Sequence, residues 1–341
     1  MIGDRGKTGT IRHMKKITIT VLIIIPIVVA IICLCIGRIG ISPKEVIGAI
    51  TGSEEIKGTV RITVMNVRLP RILLGLLCGA GLAVAGCSFQ SFFSNPLATP
   101  DTMGVAGGAS FGAALGLLLG FDMIGVQILS FLFGAGAVLV TKLAASGRNH
   151  GPAVLIISGI MVGSLFSALV SLVKFVADAE SQLPAITYWL MGSLGSAGYK
   201  NLAMGAPIII ISIVIIFLLR WRMNLLSLSE DELIASGTNV KMLRTLVVIC
   251  AAAMTSSVIS MCGQVGWVGL IVPHMCRMIW GQDNKKLIPA SISIGAAFMV
   301  IVDTVARSVS AAEIPVSILT AIIGAPFFIF ILTYRKRLIT T

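Results

Sequence analysis

The run at 70–92, PRILLGLLCGAGLAVAGCSFQSF, decides the fold class. After Arg71 it carries no charge as far as Phe92, and as a helix it is long enough to cross the roughly 30 Å hydrocarbon core of a bilayer. Gly75, Gly79, Ala83 and Gly86 recur along it, so the helix offers a smooth side on which another backbone can pack closely. Similar apolar runs lie near 17–36, 102–120, 123–145, 153–177, 202–220, 243–262, 266–281, 288–306 and 316–334. The chain is therefore expected to be an all-α polytopic membrane protein of about ten transmembrane helices, a single transmembrane domain over 1–341 with a tail at 1–16. The eighth run is the least regular, because Gly263, Gly266, Gly269 and Pro273 divide it.

Composition agrees. Of the 341 residues 56% are hydrophobic and 12% charged, against about 25% charged in a soluble domain, and ten spans leave no room for a large soluble catalytic domain. The 17–36 run follows Lys15 and Lys16 but is long for a signal peptide and lacks a small-residue cleavage pattern, so it reads as the first span. The seven cysteines contain no CxxC pair and fall in or beside apolar runs, which marks them as buried small hydrophobes rather than metal ligands. Gly6-Lys7-Thr8 lacks the upstream glycine of a phosphate-binding loop, and the three histidines are scattered. Neither an ATP site, a metal centre nor an enzyme's catalytic constellation is expected.

The net charge of +12 orients the bundle rather than binding nucleic acid. With both termini in the cytoplasm, 17 of the 26 basic residues fall inside and 9 outside, the bias expected of a cell-membrane protein. Among the outside minority, Lys57, Arg61, Arg68 and Arg71 crowd the approach to the 70–92 run. They read either as helix-end side chains snorkelling to water or as a docking surface for an acidic partner. Asp303 lies within the ninth span and is expected near an end or against a partner, with Arg307 one turn on along the same face.

Gly104, Gly108, Gly112, Gly116 and Gly120 repeat every fourth residue in the third span, and Gly79 belongs to the same theme in the second. Close packing and lining of a path are both open readings. Between the sixth and seventh spans, the insertion at 221–240 carries Ser229 with Glu232 as a capping box, Glu230 and Asp231 at the positive helix end, and Gly237 as a stop. A short surface helix near 230–236 is expected, as a connector or as a handle for a cytoplasmic engine.

Several motifs occur in one order: Arg68-Leu69-Pro70-Arg71; Asn95-Pro96-Leu97-Ala98 with Pro100-Asp101 and Gly104; Tyr188 to Ser193; Asn224 to Leu228; GWVGLIVPH from Gly266 to His274 with Arg277; Pro289-Ala290; Ala312-Glu313-Ile314-Pro315; and Gly324 to Phe328. The ordered set resembles the FecCD, or BtuC-like, permeases of ABC importers for iron-siderophores, haem and cobalamin. That resemblance implies two permease subunits, identical or paralogous, around a path. It also implies two cytoplasmic ATPase subunits that bind ATP and Mg, and an extracytoplasmic binding protein that delivers an iron(III)-siderophore, haem or cobalamin. By motif, Arg68 and Arg307 would receive the binding protein's carboxylates. Ser229, Glu230, Asp231, Glu232, Gly237 and Asn239 would couple to the ATPases, with Leu233 departing from the usual alanine. A stand-alone secondary transporter is the main rival, and the chain lacks the intramembrane relay of ionisable groups one would need.

Overall fold

A computed structural model describes residues 4–54, 56–146, 152–228, 232, 239–310 and 312–339. Thirteen α-helices are seen among them: α1 (Asp4–Cys35), α2 (Pro43–Thr51), α3 (Gly58–Ile62), α4 (Leu69–Phe92), α5 (Val105–Leu118), α6 (Met123–Ala144), α7 (Pro152–Val176), α8 (Gln182–Leu190), α9 (Tyr199–Leu219), α10 (Val240–Cys262), α11 (Val268–Trp280), α12 (Asn284–Val309) and α13 (Val316–Ile339). Each of the ten expected runs is a helix. Six are long and apolar enough to cross a membrane, one of them the continuous helical rod Gly58–Phe92. The other four, Ile19–Cys35, Val105–Leu118, Val268–Trp280 and Val316–Ile331, are shorter apolar helices.

Local chemistry sets the ends. The Ser42 hydroxyl accepts from Glu45 N while the Glu45 carboxylate accepts from Ser42 N at 2.8 Å, a reciprocal cap that starts α2 behind Pro43. Asp122 caps α6 by accepting from Gly125 N at 2.9 Å, and Asn239 caps α10 by accepting from Met242 N at 3.0 Å. The third span is shorter than its glycine repeat implied. Gly104 has φ of 73° and Gly120 also 73°, so both are left-handed turn residues flanking α5 rather than members of it.

α4 is the central helix, packed against α12, α10, α11 and α9. Its glycines permit that density: a Cβ at Gly79 would overlap the Gly295 carbonyl of α12, and one at Gly86 would overlap the Gly269 carbonyl of α11. Similarly, Gly108 and Gly112 of α5 lie against the Phe133 and Leu129 carbonyls of α6, while Gly116 faces Val126. Gly79, Gly108, Gly112 and Gly116 are thus close-packing residues in this structure.

Two features depart from the expected topology. The basic approach to the second span is not a loop: α3 runs through a π-helical turn, Thr63–Arg68, directly into α4. α2 and α8 were not anticipated, because each spans only nine residues and carries too short an apolar run to register as a span.

Candidate functional site

At one end of the bundle, called the Arg71 end, two guanidinium groups face two carboxylates and a third lies beside them. Arg71 lies at the start of α4 and donates through Nε and Nη2 to Asp303 of α12 at 2.9 Å, while its Nη1 reaches Glu313 at 3.0 Å. Arg307 sits one turn beyond Asp303, with Nε 3.9 Å from Oδ2, and its Nη2 donates to the Cys33 carbonyl at 2.6 Å. The π turn carries Arg68 inward, where Nη1 donates to the Leu34 carbonyl at 2.6 Å and Nη2 to the Ile39 carbonyl. Asp303 is 2% exposed, Arg68 4% and Arg307 8%.

Asp303 therefore faces a partner, as expected, but its principal partner is Arg71 rather than Arg307. The two docking candidates, Arg68 and Arg307, are brought together at the end of α1, and neither presents its charge to solvent. Their donors are engaged by the Cys33 and Leu34 carbonyls that α1 leaves unsatisfied at its C-terminus, which is why a helix end attracts them, and by the Ile39 carbonyl just beyond it. A carboxylate from outside would reach either arginine only after those carbonyls let go.

The opposite end, the Asp283 end, is held by neutral amides around one carboxylate. Asn224, in a 3₁₀ turn at Arg222–Ser227, donates through Nδ2 to Asp283 at 2.8 Å and accepts from Asn284 N at 2.9 Å. Asp283 also accepts from Lys285 N at 3.0 Å, and Ser91 at the end of α4 donates to Asn284 at 3.1 Å. Partial burial pushes the Asp283 carboxyl up, but the Asn224 and Lys285 hydrogen bonds and the charges of Lys285 and Lys286 outweigh it and hold it below the ordinary range. Of the coupling candidates, Asn239 is the α10 cap and Glu232 is helical, while Ser229, Glu230, Asp231 and Gly237 lie outside the described residues.

Between these ends, residues of α5 and α7 line a cleft of about 660 Å³, with Asp101, Ser110, Gly159, Ser164, Ser167 and Lys174 among its walls. A second cavity of about 350 Å³ shares Asp101 and Gln264 with it and is bounded by Thr255 and Trp267. The turn carrying Asp101 is fixed against α7, since a Cβ at Gly159 would overlap the Thr102 carbonyl and Gly104 lies against Gly163. His274 packs on Phe328, ring centroids 5.4 Å apart. All seven cysteines are free, and six are buried.

Sequence reasoning passed over Glu313 and Asp101 as site residues, although both stand in the ordered motifs. Glu313 has φ of 51°, a backbone that a glutamate rarely adopts, and no pattern of residues could have announced it.

Comparison with known proteins fits this architecture. The FecCD transport family model matches residues 23–334. The molybdate import system permease protein MolB of Haemophilus influenzae is 40% identical over 316 residues, covering 91% of this chain and 93% of that one. The Fe(3+)-citrate import system permease protein YfmE of Bacillus subtilis is 35% identical, over 96% and 98% respectively. A solved ABC transporter, assigned to the metal-chelate type and in an inward-facing conformation, superposes with a TM-score of 0.85 at 38% identity, covering 93% of this chain and 98% of that one. A family match across nearly the whole chain, with relatives aligned over nearly their whole length, makes this chain a multi-pass membrane permease of the ABC importer class and a member of the FecCD transport family.

Proposed function

We propose that the chain works as one of two permease subunits, identical or paralogous, in a binding-protein-dependent importer whose cargo is an iron(III) chelate of the siderophore type. Two separate cytoplasmic ATPase subunits bind ATP and Mg and supply the work; this chain contributes a path that alternates between two openings, so coupling is a difference in affinity between two states. The observation that carries the reading is the cleft lined by α5 and α7, a polar groove on a bundle with six helices long and apolar enough to cross a membrane and four shorter apolar ones. The Fe(3+)-citrate relative supports a chelate cargo. A second reading, molybdate, is favoured by the MolB relative at 40% identity.

In this proposal both termini and the Asp283 end face the cytoplasm, in keeping with the 17 to 9 division of basic residues, and the Arg71 end faces outward. The binding protein's carboxylates compete with the α1 carbonyls for Arg68 and Arg307, so docking is an exchange that loosens the end of α1. The segment at 229–240, with Glu230 and Glu232, takes up the movement of the ATPases.

The test is uptake by proteoliposomes holding the chain with its cognate ATPases and binding protein. Accumulation of a ferric chelate that needs ATP and both partners is expected. Uptake that persists without the ATPases overturns the reading in favour of a secondary transporter. Reversing Arg68 and Arg307 together to glutamate is expected to abolish binding-protein capture; unchanged capture removes them from docking. Glu230→Lys with Glu232→Lys is expected to leave ATP hydrolysis uncoupled from uptake, and retained coupling removes the handle.

A further inference from the structure

α7 carries a polar face that a lipid-facing helix would not keep. Ser164, Ser167, Ser171 and Lys174 follow at spacings of three, four and three, which puts them on one side of the helix. The three serines are exposed, and each donates back to the carbonyl four residues earlier, at 2.9, 2.9 and 3.0 Å. That bond satisfies the hydroxyl hydrogen and leaves the oxygen's second lone pair outward, a surface suited to water. Ser164, Ser167 and Lys174 line the 660 Å³ cleft, as does Ser110 from α5. Ser110 is 5% exposed, and its hydroxyl has no hydrogen-bond partner among the described residues. A buried hydroxyl left open into a polar cleft is a group built to meet something that enters it.

The charges of the cleft are ordered along its length. The Asp101 turn is pinned at Gly159, and Lys174 stands fifteen residues further along α7, about 22 Å at the helical rise. Lys174 is thus at the Arg71 end of the groove, and the exposed Asp101 lies toward its other end. Resting on the importer reading and its orientation, we infer that this cleft admits anionic, oxygen-rich cargo. Lys174 attracts the anion at the outer mouth, the hydroxyls of Ser110, Ser164 and Ser167 offer it neutral contacts, and Asp101 keeps it from settling toward the other end. Entry is favoured and residence is not, which is what conduction requires. A second copy facing the first would double the lysines at the mouth. Inorganic molybdate and ferric citrate share this chemistry.

The inference is tested in proteoliposomes holding the complete complex, with Lys174→Glu and Lys174→Arg compared for uptake of molybdate, ferric citrate, hemin and cobalamin. Uptake of either anion that falls about tenfold in the glutamate variant and survives in the arginine variant supports it. Molybdate alone assigns an inorganic oxyanion, and ferric citrate alone assigns a chelate. Anion uptake indifferent to Lys174→Glu, or cobalamin carried in preference to both anions, overturns it while leaving the importer reading intact. Absence of ATP-dependent uptake for all four overturns the importer reading instead, and a second measurement then decides the inference. In the full chain carrying Ser167→Cys, the rates of labelling by an anionic and a cationic thiosulfonate of equal size are compared. An anionic preference that drops on adding Lys174→Gln supports the inference, and no preference overturns it. This measurement also decides the matter if Lys174→Glu fails to assemble.

Discussion

The rod carrying α4 and the helix α7 are equally apolar, with mean hydropathies of 2.1 and 2.4, yet 83% of the first and 22% of the second is buried inside the protein. Hydropathy separates membrane from water; it does not separate protein from lipid. What distinguishes the two helices is small residues and charge placement. α4 puts Gly79 against Gly295 and Gly86 against Gly269, and it anchors its first turn with Arg71 to Asp303. α7 leaves large side chains such as Phe175 and Met161 exposed beside its equally exposed serines, of which Ser164 and Ser167 line the cleft. One helix is a packing axis, and the other is a wall.

The sharpest way to break this comparison is at the charges. Asp303→Asn leaves Arg71 and Arg307 buried beside Glu313 alone and is expected to destabilise the chain by about 3–5 kcal/mol, measured by thermal unfolding in detergent. Lys174→Gln on α7 is expected to change stability by less than about 0.5 kcal/mol, because its ammonium is not held in a buried network. Comparable effects of the two would erase the distinction. Next comes packing: Gly79→Leu should cost about 3 kcal/mol, because the neighbour it strikes is backbone that cannot rotate away. Gly163→Ala on α7, whose nearest outside neighbour lies 3.7 Å from the added carbon, should be well tolerated.

A smaller effect concerns the Asp283 end. A carboxyl held below its ordinary range contributes stability that is present above that range and is lost as pH falls through the depressed value. Acidification below about pH 4 should therefore loosen the Asn224 clamp, and Asp283→Asn should flatten that part of the pH–stability curve. The smallest effect is expected at the exposed surface of α7, where Met161→Leu should shift stability negligibly, within about 0.5 kcal/mol.

The ten apolar helices were legible because apolarity is written locally, although only six of them are long enough by themselves to cross a membrane. Long-range ion pairing is not. Asp303 and Arg307 are four apart and could be paired on paper, but Arg71 is 232 residues from Asp303 and 242 from Glu313, and no spacing joins them. The motif arginines Arg68 and Arg307 were recognisable, while their burial was not, because it depends on a π turn and on where α1 ends. The glycine repeat of the third span was read as one stripe, whereas its two ends proved to be turns. Backbone sign is invisible in a periodic pattern. The polar stripe of α7 shows the converse: its spacing stands in the sequence, but its meaning waits on the cleft.

The shortness of α5 and α11 has an electrical consequence. At 14 and 13 residues they measure about 21 and 20 Å, some 10 Å less than the hydrocarbon core. Water reaching their ends carries the potential of the adjoining bath with it, so the transmembrane voltage falls over about two-thirds of the usual depth there. An anion drawn into a negative interior opposes about 2.3 kcal/mol per charge for each 100 mV. On the importer reading proposed above, an anionic cargo is expected to meet that opposition along the stretch beside Asp101 and Trp267, which line one cavity, and the work of the ATPases is expected to be delivered there.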